Sequence, residues 1–214
     1  MTDSWSDVDL VMTTIIDTCL ANEKYFGDLD SVVGDGDFGY SLARGFEKLK
    51  DQYGELDRTD IGTFLKKVGM LVTSRIGGTS GPIWGTAFLR AGMTAGTATS
   101  LDGATVVAIL RAAIEGIKTR GGADLGEKTL LDALVPMTDA IEEALEAGLD
   151  SDEVVDRAAA AARSAADATV GMVAMRGRAA YTGERSRGSV DAGAVAVAVL
   201  MEQIAQSWKG RGSR

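Results

Sequence analysis

The sequence predicts an all-α fold in which long helices pack antiparallel as a bundle or a closed ring. Apolar residues recur at intervals of three and four through most of the chain, as at Val106, Leu110 and Ala113. Residues that favour helix starts, such as Asp102, stand directly before these apolar series. No segment is a convincing strand, and the connections are short, which favours antiparallel neighbours.

The first four helices are predicted near residues 6–26, 39–53, 60–75 and 82–97. The first carries Val11, Ile15 and Cys19 on one apolar stripe, so the single cysteine is predicted to be a buried structural thiol. The fourth is predicted to begin at Pro82, since proline is favoured at the first position of a helix.

The last four helices are predicted near residues 103–119, 129–147, 151–175 and 190–207. Thr129 precedes the sixth, and the pair Asp150 and Glu153 precedes the alanine-rich seventh. The apolar run 192–201 in the eighth is half the length of a membrane span, so no membrane segment is expected. All eight are assigned to a single domain, residues 1–214, because no Pro- or Ser-rich linker divides the chain.

Four connections hold most of the Gly, Asp, Thr, Ser and Arg residues that suit binding or catalysis. They are the first, third, fifth and seventh connections of the predicted fold, and in an up-and-down arrangement alternate connections share one end. The sequence therefore predicts one site, at one end of the helices, built from residues 27–38, 76–81, 120–128 and 176–189.

The composition restricts the kinds of partner. The chain has 31 acidic and 22 basic residues and a net charge of −9, and its basic residues are scattered, which argues against nucleic acid. An acidic protein can bind polyphosphates where a divalent cation lies between the negative charges. Because the chain has no histidine, imidazole chemistry is excluded for this chain alone. The acidic N-terminus is unlike a signal peptide, and a cytoplasmic location is expected.

Three acids of the first connection, Asp30, Asp35 and Asp37, are candidate metal ligands. Clustered like charges favour a cation, Gly34 and Gly36 permit tight turns, and carboxylate oxygens suit Mg²⁺ or Ca²⁺. The alternative is a solvated acidic turn with a helix cap, and this segment alone does not decide between the two.

Two nucleotide-binding fingerprints are near misses. Residues 34–39 match G-x-G-x-x-G, but that fingerprint requires a preceding strand, and its acids would repel a pyrophosphate in the absence of a metal. Gly121 and Gly126 have the spacing of a P-loop, but Glu127 places Lys128 one position too late. Neither a Rossmann fold nor a P-loop is predicted.

The third connection is a better candidate for binding phosphate. Its glycines and small hydroxyls lead into a helix, and helix N-termini bind phosphate through free N–H groups and the helix dipole. Thr79 and Ser80 can add hydroxyl donors. The alternative is an ordinary connection capped by Ser80.

The seventh connection concentrates four arginines between residues 176 and 188. Arginine presents a fixed fork of donors to phosphate, and a cation at a transferring phosphoryl group stabilises the transition state. Arg178 and Arg185 are the functional candidates. The alternative, surface arginines paired with Glu184 and other acids, accounts for the rest.

Four motifs occur in order: LDSVVGDGDFGYSLARGF at 29–46, GGTSGPIWG at 77–85, GEKTLLDALVP at 126–136 and RGRAAYTGERSRGSVDAGA at 176–194. In these motifs the chain resembles, nearly end to end, the nucleotide-binding L subunit, or DAK2-type domain, of the dihydroxyacetone kinase family. The resemblance implies an eight-helix antiparallel up-and-down barrel whose open end holds ADP or ATP.

The resemblance also implies roles for individual residues. Asp30, Asp35 and Asp37 would hold a pair of Mg²⁺ ions that bridge the nucleotide phosphates, Arg178 would face the phosphates as the catalytic residue, and Leu130 would cover the adenine. Three positions depart from the family pattern. Phe38 and Ser189 stand where the family usually has histidine, and Ala192 stands where it usually has proline. The implied nucleotide surroundings are Phe38, Gly39, Tyr40, Ser41, Thr79, Ser80, Gly121, Leu130, Arg178, Asp191, Ala192 and Gly193.

The activity that the resemblance implies is phosphoryl transfer to a short-chain keto sugar, dihydroxyacetone or a related ketose, held by a histidine of a separate K-type subunit. A phosphoprotein is a second implied partner, as the donor that rephosphorylates bound ADP, and a homodimer is also considered. Two alternatives stay open: the nucleotide domain of a fatty-acid kinase, and a nucleotide-loaded regulatory subunit without turnover of its own.

Overall fold

The structure, a computed structural model, describes residues 4–211; the first three residues, which belong to the acidic N-terminus, and the last three lie outside it. Within this range the chain forms nine α-helices, three 3₁₀ segments and no strand. The 3₁₀ segments are Tyr53–Glu55, Thr169–Gly171 and Arg178–Ser186. The α-helices are α1 (Ser4–Ala21), α2 (Glu23–Asp30), α3 (Phe38–Gln52), α4 (Ile61–Arg75), α5 (Ser80–Ala95), α6 (Gly103–Gly121), α7 (Leu131–Glu146), α8 (Ser151–Ala168) and α9 (Ala192–Gly210).

The helices form a closed ring. From α3 onwards each helix packs against the next one in the chain, and the ring closes where α1 contacts both α9 and α3. Helix α2 packs on α3 and α9 and continues the position of α1, so the ring has eight positions. The all-α prediction is confirmed, and the ring agrees with the eight-helix barrel.

Two glycines of α4 show that neighbouring helices run antiparallel and in close contact. A Cβ on Gly62 would lie 2.0 Å from the carbonyl oxygen of Gly96, and one on Gly69 would lie 2.9 Å from that of Gly85. Gly69 follows Gly62 in α4, whereas its neighbour Gly85 precedes Gly96 in the chain, so the two helices run in opposite directions. A side chain at either glycine would push the two backbones apart.

The core is divided between aromatic and alanine-rich packing. Phe26, Phe46 and Phe64 are fully buried where α1 to α5 meet. The second cluster joins α7, α8 and α9 and is built around small residues such as Ala158 and Ala162. Cys19, predicted to be buried, is buried in the first cluster, and burial raises the pKa of its thiol.

The predicted first helix, 6–26, is wrong in its extent because it is interrupted at Asn22. Asn22 has φ −108° and ψ 16°, outside the helical range, although its N–H and its side-chain amide both donate to the carbonyl oxygen of Thr18, at 3.1 and 2.9 Å. The second piece, α2, continues to Asp30. Asp30 therefore lies in the last turn of a helix and not in the predicted connection.

Two other boundaries also differ. Helix α5 starts at Ser80, two residues before Pro82, which lies within the first turn, where backbone N–H groups have no intrahelical partner. Helix α8 ends at Ala168, seven residues before the predicted 175, and gives way to a 3₁₀ turn that contains Gly171. Among the described residues no helix is long and apolar enough to cross a membrane.

Asp191 fixes the start of α9 beside the seventh connection. Its carboxylate accepts a hydrogen bond from the Ala194 N–H at 2.7 Å, and its own N–H donates to the Thr169 hydroxyl at 2.8 Å. Burial of the carboxyl group raises its pKa to about 7. Asp191 therefore holds a proton in the folded chain at pH values where an unfolded aspartate does not.

Asp191→Asn should remove a pH dependence of stability. Between ~pH 4 and about pH 7 the folded wild type binds more protons than the unfolded chain, so its free energy of unfolding falls as the pH rises, by about 1.4 kcal/mol per unit for one group. The asparagine oxygen can still accept from Ala194. Urea unfolding at ~pH 5 and ~pH 7 should show the wild type losing roughly 2 kcal/mol relative to the variant. Equal pH dependence of the two proteins would contradict the raised pKa of this carboxyl group.

Candidate functional site

Three carboxylates converge where α2 ends and α3 begins. Asp30, Asp35 and Asp37 each place an oxygen within 4.8 Å of the others. The chain turns tightly here, since the Gly34 N–H donates to the Asp30 carbonyl oxygen at 2.6 Å and Gly36 has φ 77°. The predicted trio of acids is thus brought together, with an arrangement of hard oxygen donors that fits Mg²⁺.

The acid at the start of α3 does not cap its helix. Asp37 occupies the N-cap position of α3, but its side chain makes no capping hydrogen bond. The side chains of Asp35 and Asp37 are 47% and 51% exposed. Asp30 is partly buried and accepts a hydrogen bond from the Phe38 N–H at 3.3 Å. The capping role considered for this turn is therefore not seen at Asp37.

Arg178 joins the seventh connection to these acids. One terminal nitrogen of its guanidinium, Nη1, pairs with Asp35 and lies 3.0 Å from Asp37 Oδ2. Arg178 opens the 3₁₀ segment directly after Gly177, which has φ 64°. The acids and the predicted catalytic arginine, far apart in sequence, are therefore in contact.

The other arginines of this connection have different partners. Arg176 pairs with Glu127 through Nε and Nη2 at 2.7 and 2.8 Å, and Arg187 pairs with Glu184 at 3.2 Å. The surface-pair alternative is thus confirmed for these two arginines. Arg185, the second functional candidate, is exposed on the same 3₁₀ segment as Arg178.

The third connection reaches the site through the start of α5. A Cβ on Gly77 would lie 3.6 Å from the Ser41 hydroxyl oxygen in the first turn of α3. Thr79 is exposed at the N-cap position without a side-chain capping bond, and Ser80 is the first residue of the helix and not its cap. The free N–H groups at the start of α5 and two hydroxyls are thus available to an anion.

An apolar wall lies next to the fifth connection. Leu130 packs against the buried cluster of Ile114, Ile117 and Leu131. A Cβ on Gly193 would lie 3.3 Å from the Leu130 Cβ, so the starts of α7 and α9 are adjacent. Gly121, the last residue of α6, is similarly close to Ile83, since a Cβ there would lie 3.1 Å from the Ile83 Cδ1. This surface suits a flat apolar group.

The segment after Asp37 contributes mainly backbone to the site. The Phe38 ring packs in the core at 6.2 Å from the Phe26 ring centroid. Gly39 lies against α2, since a Cβ there would be 1.9 Å from the Glu23 carbonyl oxygen. The Tyr40 ring is 57% exposed and stands 5.1 Å from the Arg44 guanidinium carbon. Phe38, in the place of the usual histidine, therefore offers the site its N–H and not its side chain.

Two residues with strong contacts here were not assigned a role from sequence. Glu127 and Lys128 bond to the seventh connection through backbone and side-chain atoms. The ammonium of Lys128 is buried and donates to backbone carbonyls, which agrees with the rejection of a P-loop. The sequence signals for them were the misplaced lysine of that near miss and their place in the motif GEKTLLDALVP, neither of which indicated a contact with the seventh connection.

The chain is similar to several known proteins. The DAK2 domain family matches residues 32–206. The PEP-dependent dihydroxyacetone kinase, ADP-binding subunit DhaL, of Escherichia coli (strain K12) is 35% identical over 198 residues, 92% of this chain and 94% of that protein. The L-erythrulose kinase of Pectobacterium atrosepticum is 35% identical over 190 residues, which are 88% of this chain but 32% of that protein.

A solved structure shares the fold. The crystal structure of the dihydroxyacetone kinase from C. freundii in complex with AMP-PNP and Mg²⁺ matches with a TM-score of 0.72 and 26% identity over 95% of this chain and 33% of that one. Since the family match spans most of the sequence and the E. coli relative matches it nearly end to end, this chain belongs to the DAK2 domain family.

Proposed function

We propose that this chain is the nucleotide-binding subunit of a dihydroxyacetone-type kinase. The observation that carries the proposal is the contact between the arginine Arg178 and the acids Asp35 and Asp37, which sets a guanidinium beside a cluster of candidate metal ligands. Such a pair of charges suits a metal-bound polyphosphate. The E. coli relative is named an ADP-binding subunit, and the C. freundii structure contains AMP-PNP and Mg²⁺.

The acids would hold the metal. Asp30, Asp35 and Asp37 supply the hard oxygen donors that Mg²⁺ prefers, and we propose that they bind two ions. Mg²⁺ bound there would neutralise phosphate charge. The N–H of Phe38 fixes the Asp30 carboxylate at 3.3 Å, so that this ligand is oriented before any ion binds.

The rest of the site would hold the nucleotide at both ends. Thr79, Ser80 and the first N–H groups of α5 would contact phosphate, and Arg178 would stabilise the charge that develops on the transferred group. Leu130 and Gly121 would cover the adenine. The remaining proposed surroundings are Phe38, Gly39, Tyr40, Ser41, Asp191, Ala192 and Gly193.

The substrate half of the reaction would come from another chain. The sequence has no histidine with which to hold a keto sugar, so we propose that a K-type subunit presents the sugar hydroxyl to the terminal phosphate of the nucleotide. Transfer of that phosphoryl group to the sugar would leave ADP bound to this chain. The relatives' names favour dihydroxyacetone or erythrulose. The E. coli relative is named PEP-dependent, and we propose that a phosphoprotein rephosphorylates the bound ADP in place.

Exposed apolar side chains mark where that K-type subunit would dock. Val32 in the first connection is 65% exposed, and Tyr181 in the seventh connection, residues 176–189, which we call the arginine connection, is 91% exposed. Leu125 in the fifth connection and Met175, directly before the arginine connection, are 45% and 58% exposed. Apolar groups around a charged centre are typical of protein interfaces.

The metal assignment predicts that ADP binding requires Mg²⁺ and is lost when a ligand is removed. Asp35→Asn and Asp37→Asn should each lower ADP affinity at least tenfold in calorimetry, on the order of 1.4 kcal/mol. The fold should survive, because exposed ion pairs add little stability. Asp28→Asn, an exposed acid of the same region that pairs with Lys24, is the control and should bind ADP normally. Full-strength ADP binding by both ligand variants in chelator would exclude the metal bridge.

The arginine assignment predicts that Arg178→Ala weakens the grip on phosphate but not on adenine. Loss of one charge-assisted hydrogen bond costs ~1.5–3 kcal/mol, or about one to two powers of ten in affinity. ADP should suffer this loss while adenosine binding stays unchanged. Arg157→Ala on the exposed surface of α8 is the control. Equal losses for ADP and adenosine would place Arg178 away from the phosphates.

The two-subunit assignment predicts that the purified chain does not phosphorylate dihydroxyacetone or erythrulose with Mg-ATP. Adding a K-type subunit should start formation of the ketose phosphate. Tyr181→Ser should raise the K-type concentration that gives half-maximal rate while leaving ADP affinity unchanged, since this ring lies on the proposed interface. Ketose phosphate formed by the isolated chain at the rate of the complex would refute the assignment.

A further inference from the structure

The ammonium group of Lys128 lies under the arginine connection. Lys128 is 3% exposed, and its Nζ donates to three backbone carbonyl oxygens, those of Met172, Ser186 and Ser189, at 3.2, 2.5 and 2.6 Å. These carbonyls lie on both sides of the segment that carries Arg178. An ammonium has three protons, and here each has an acceptor.

Glu127 bonds to the same connection from outside. Its carbonyl oxygen accepts from the Met175 N–H at 3.0 Å, and its carboxylate pairs with Arg176 at 2.7 and 2.8 Å. Arg176 is two residues before Arg178. Glu127 and Lys128 together therefore contact the arginine connection before and after Arg178; we call this pair the clamp.

The backbone of the clamp is adapted to this contact. Lys128 has φ 60°, and it is the one residue other than glycine with positive φ among residues 4–211. That conformation is costly for a side chain and persists where the surroundings fix it. The turn is held by Asp132, whose two carboxylate oxygens accept from the N–H groups of Gly126 and Thr129 at 2.5 and 2.7 Å.

We infer that Lys128, assisted by Glu127, is a positioning residue that holds Arg178 against the acids. Lys128 cannot itself bind phosphate, because it is buried and its three protons are used. Leu130, on the proposed adenine wall, follows Lys128 by two residues, so one short turn ties the adenine side of the site to the phosphate side. The inference rests on the proposed function.

Loss of the Lys128 ammonium should affect phosphate binding and adenine binding differently. Without the ammonium, three carbonyl oxygens lose a charged donor, and the segment around Arg178 has more conformations to lose when the nucleotide binds. The cost should therefore fall on contacts made by Arg178 and not on the adenine. A residue that only stabilised the fold would weaken both alike.

A double-mutant cycle separates these roles. Calorimetry would measure Mg-ADP and adenosine affinities for the wild type, Lys128→Met, Arg178→Ala and the double variant. We expect Lys128→Met to lower ADP affinity about tenfold and adenosine affinity less than about twofold. In the Arg178→Ala background, Lys128→Met should lower ADP affinity by less than about twofold. Lys118→Met is the matched control and should change neither affinity. It removes an ammonium that is paired with Asp124 in the fifth connection, which also contains Lys128.

A second set of variants covers the case in which Lys128→Met does not fold. Glu127→Ala and Arg176→Ala each remove the ion pair between the clamp and the arginine connection, and each should lower ADP affinity several-fold with adenosine affinity retained. The variant that combines Glu127→Ala and Arg176→Ala should bind ADP as well as either single variant does. Additive losses in every background, or equal losses of ADP and adenosine, would overturn the positioning role.

The wild type provides the test that distinguishes the two proposals. A wild type that binds no ADP in the presence of Mg²⁺ would overturn the proposed function and this inference with it. A wild type that binds Mg-ADP, together with a folded Lys128→Met variant of equal ADP affinity, would overturn the inference alone.

Discussion

Three carboxylates with oxygens within 4.8 Å of one another favour positive charge nearby, and this preference is reflected in the contacts at one end of the molecule. In the structure Arg178 supplies that charge to Asp35 and Asp37. The position of Arg178 depends on the conformation of the arginine connection. Glu127 and Lys128 bond to that connection through side-chain atoms. The acids, the arginine and the clamp are thus successive steps of one arrangement.

The closed ring makes this arrangement feasible. Because neighbouring helices are antiparallel, every second connection returns to the same end, and no long excursion of the chain is needed. Rigid helix ends then place the functional groups: α2 ends at Asp30, α3 starts after Asp37, and α5 opens at Ser80. Sites built on helix ends are held more firmly than sites on free loops.

The arginine-rich connection divides its charges between pairs with glutamates and a contact with the acid cluster. Arg176 and Arg187 are paired with Glu127 and Glu184 and hold the segment in place. Arg178 faces the acids, where a cation has most effect on a polyphosphate. An acidic protein can in this way present local positive charge, although its net charge is −9.

The sequence by itself determined the all-α class, the alternation of plain and functional connections and the acid trio, because helical periodicity and motif spacing are local properties. It did not determine the break at Asn22, where the backbone leaves the helical range, or the extension of α2 to Asp30. Nor did it reveal Lys128, whose acceptors lie 44 to 61 residues away. Only the tertiary structure decided those contacts, because the same lysine without the ring around it has water as its partner.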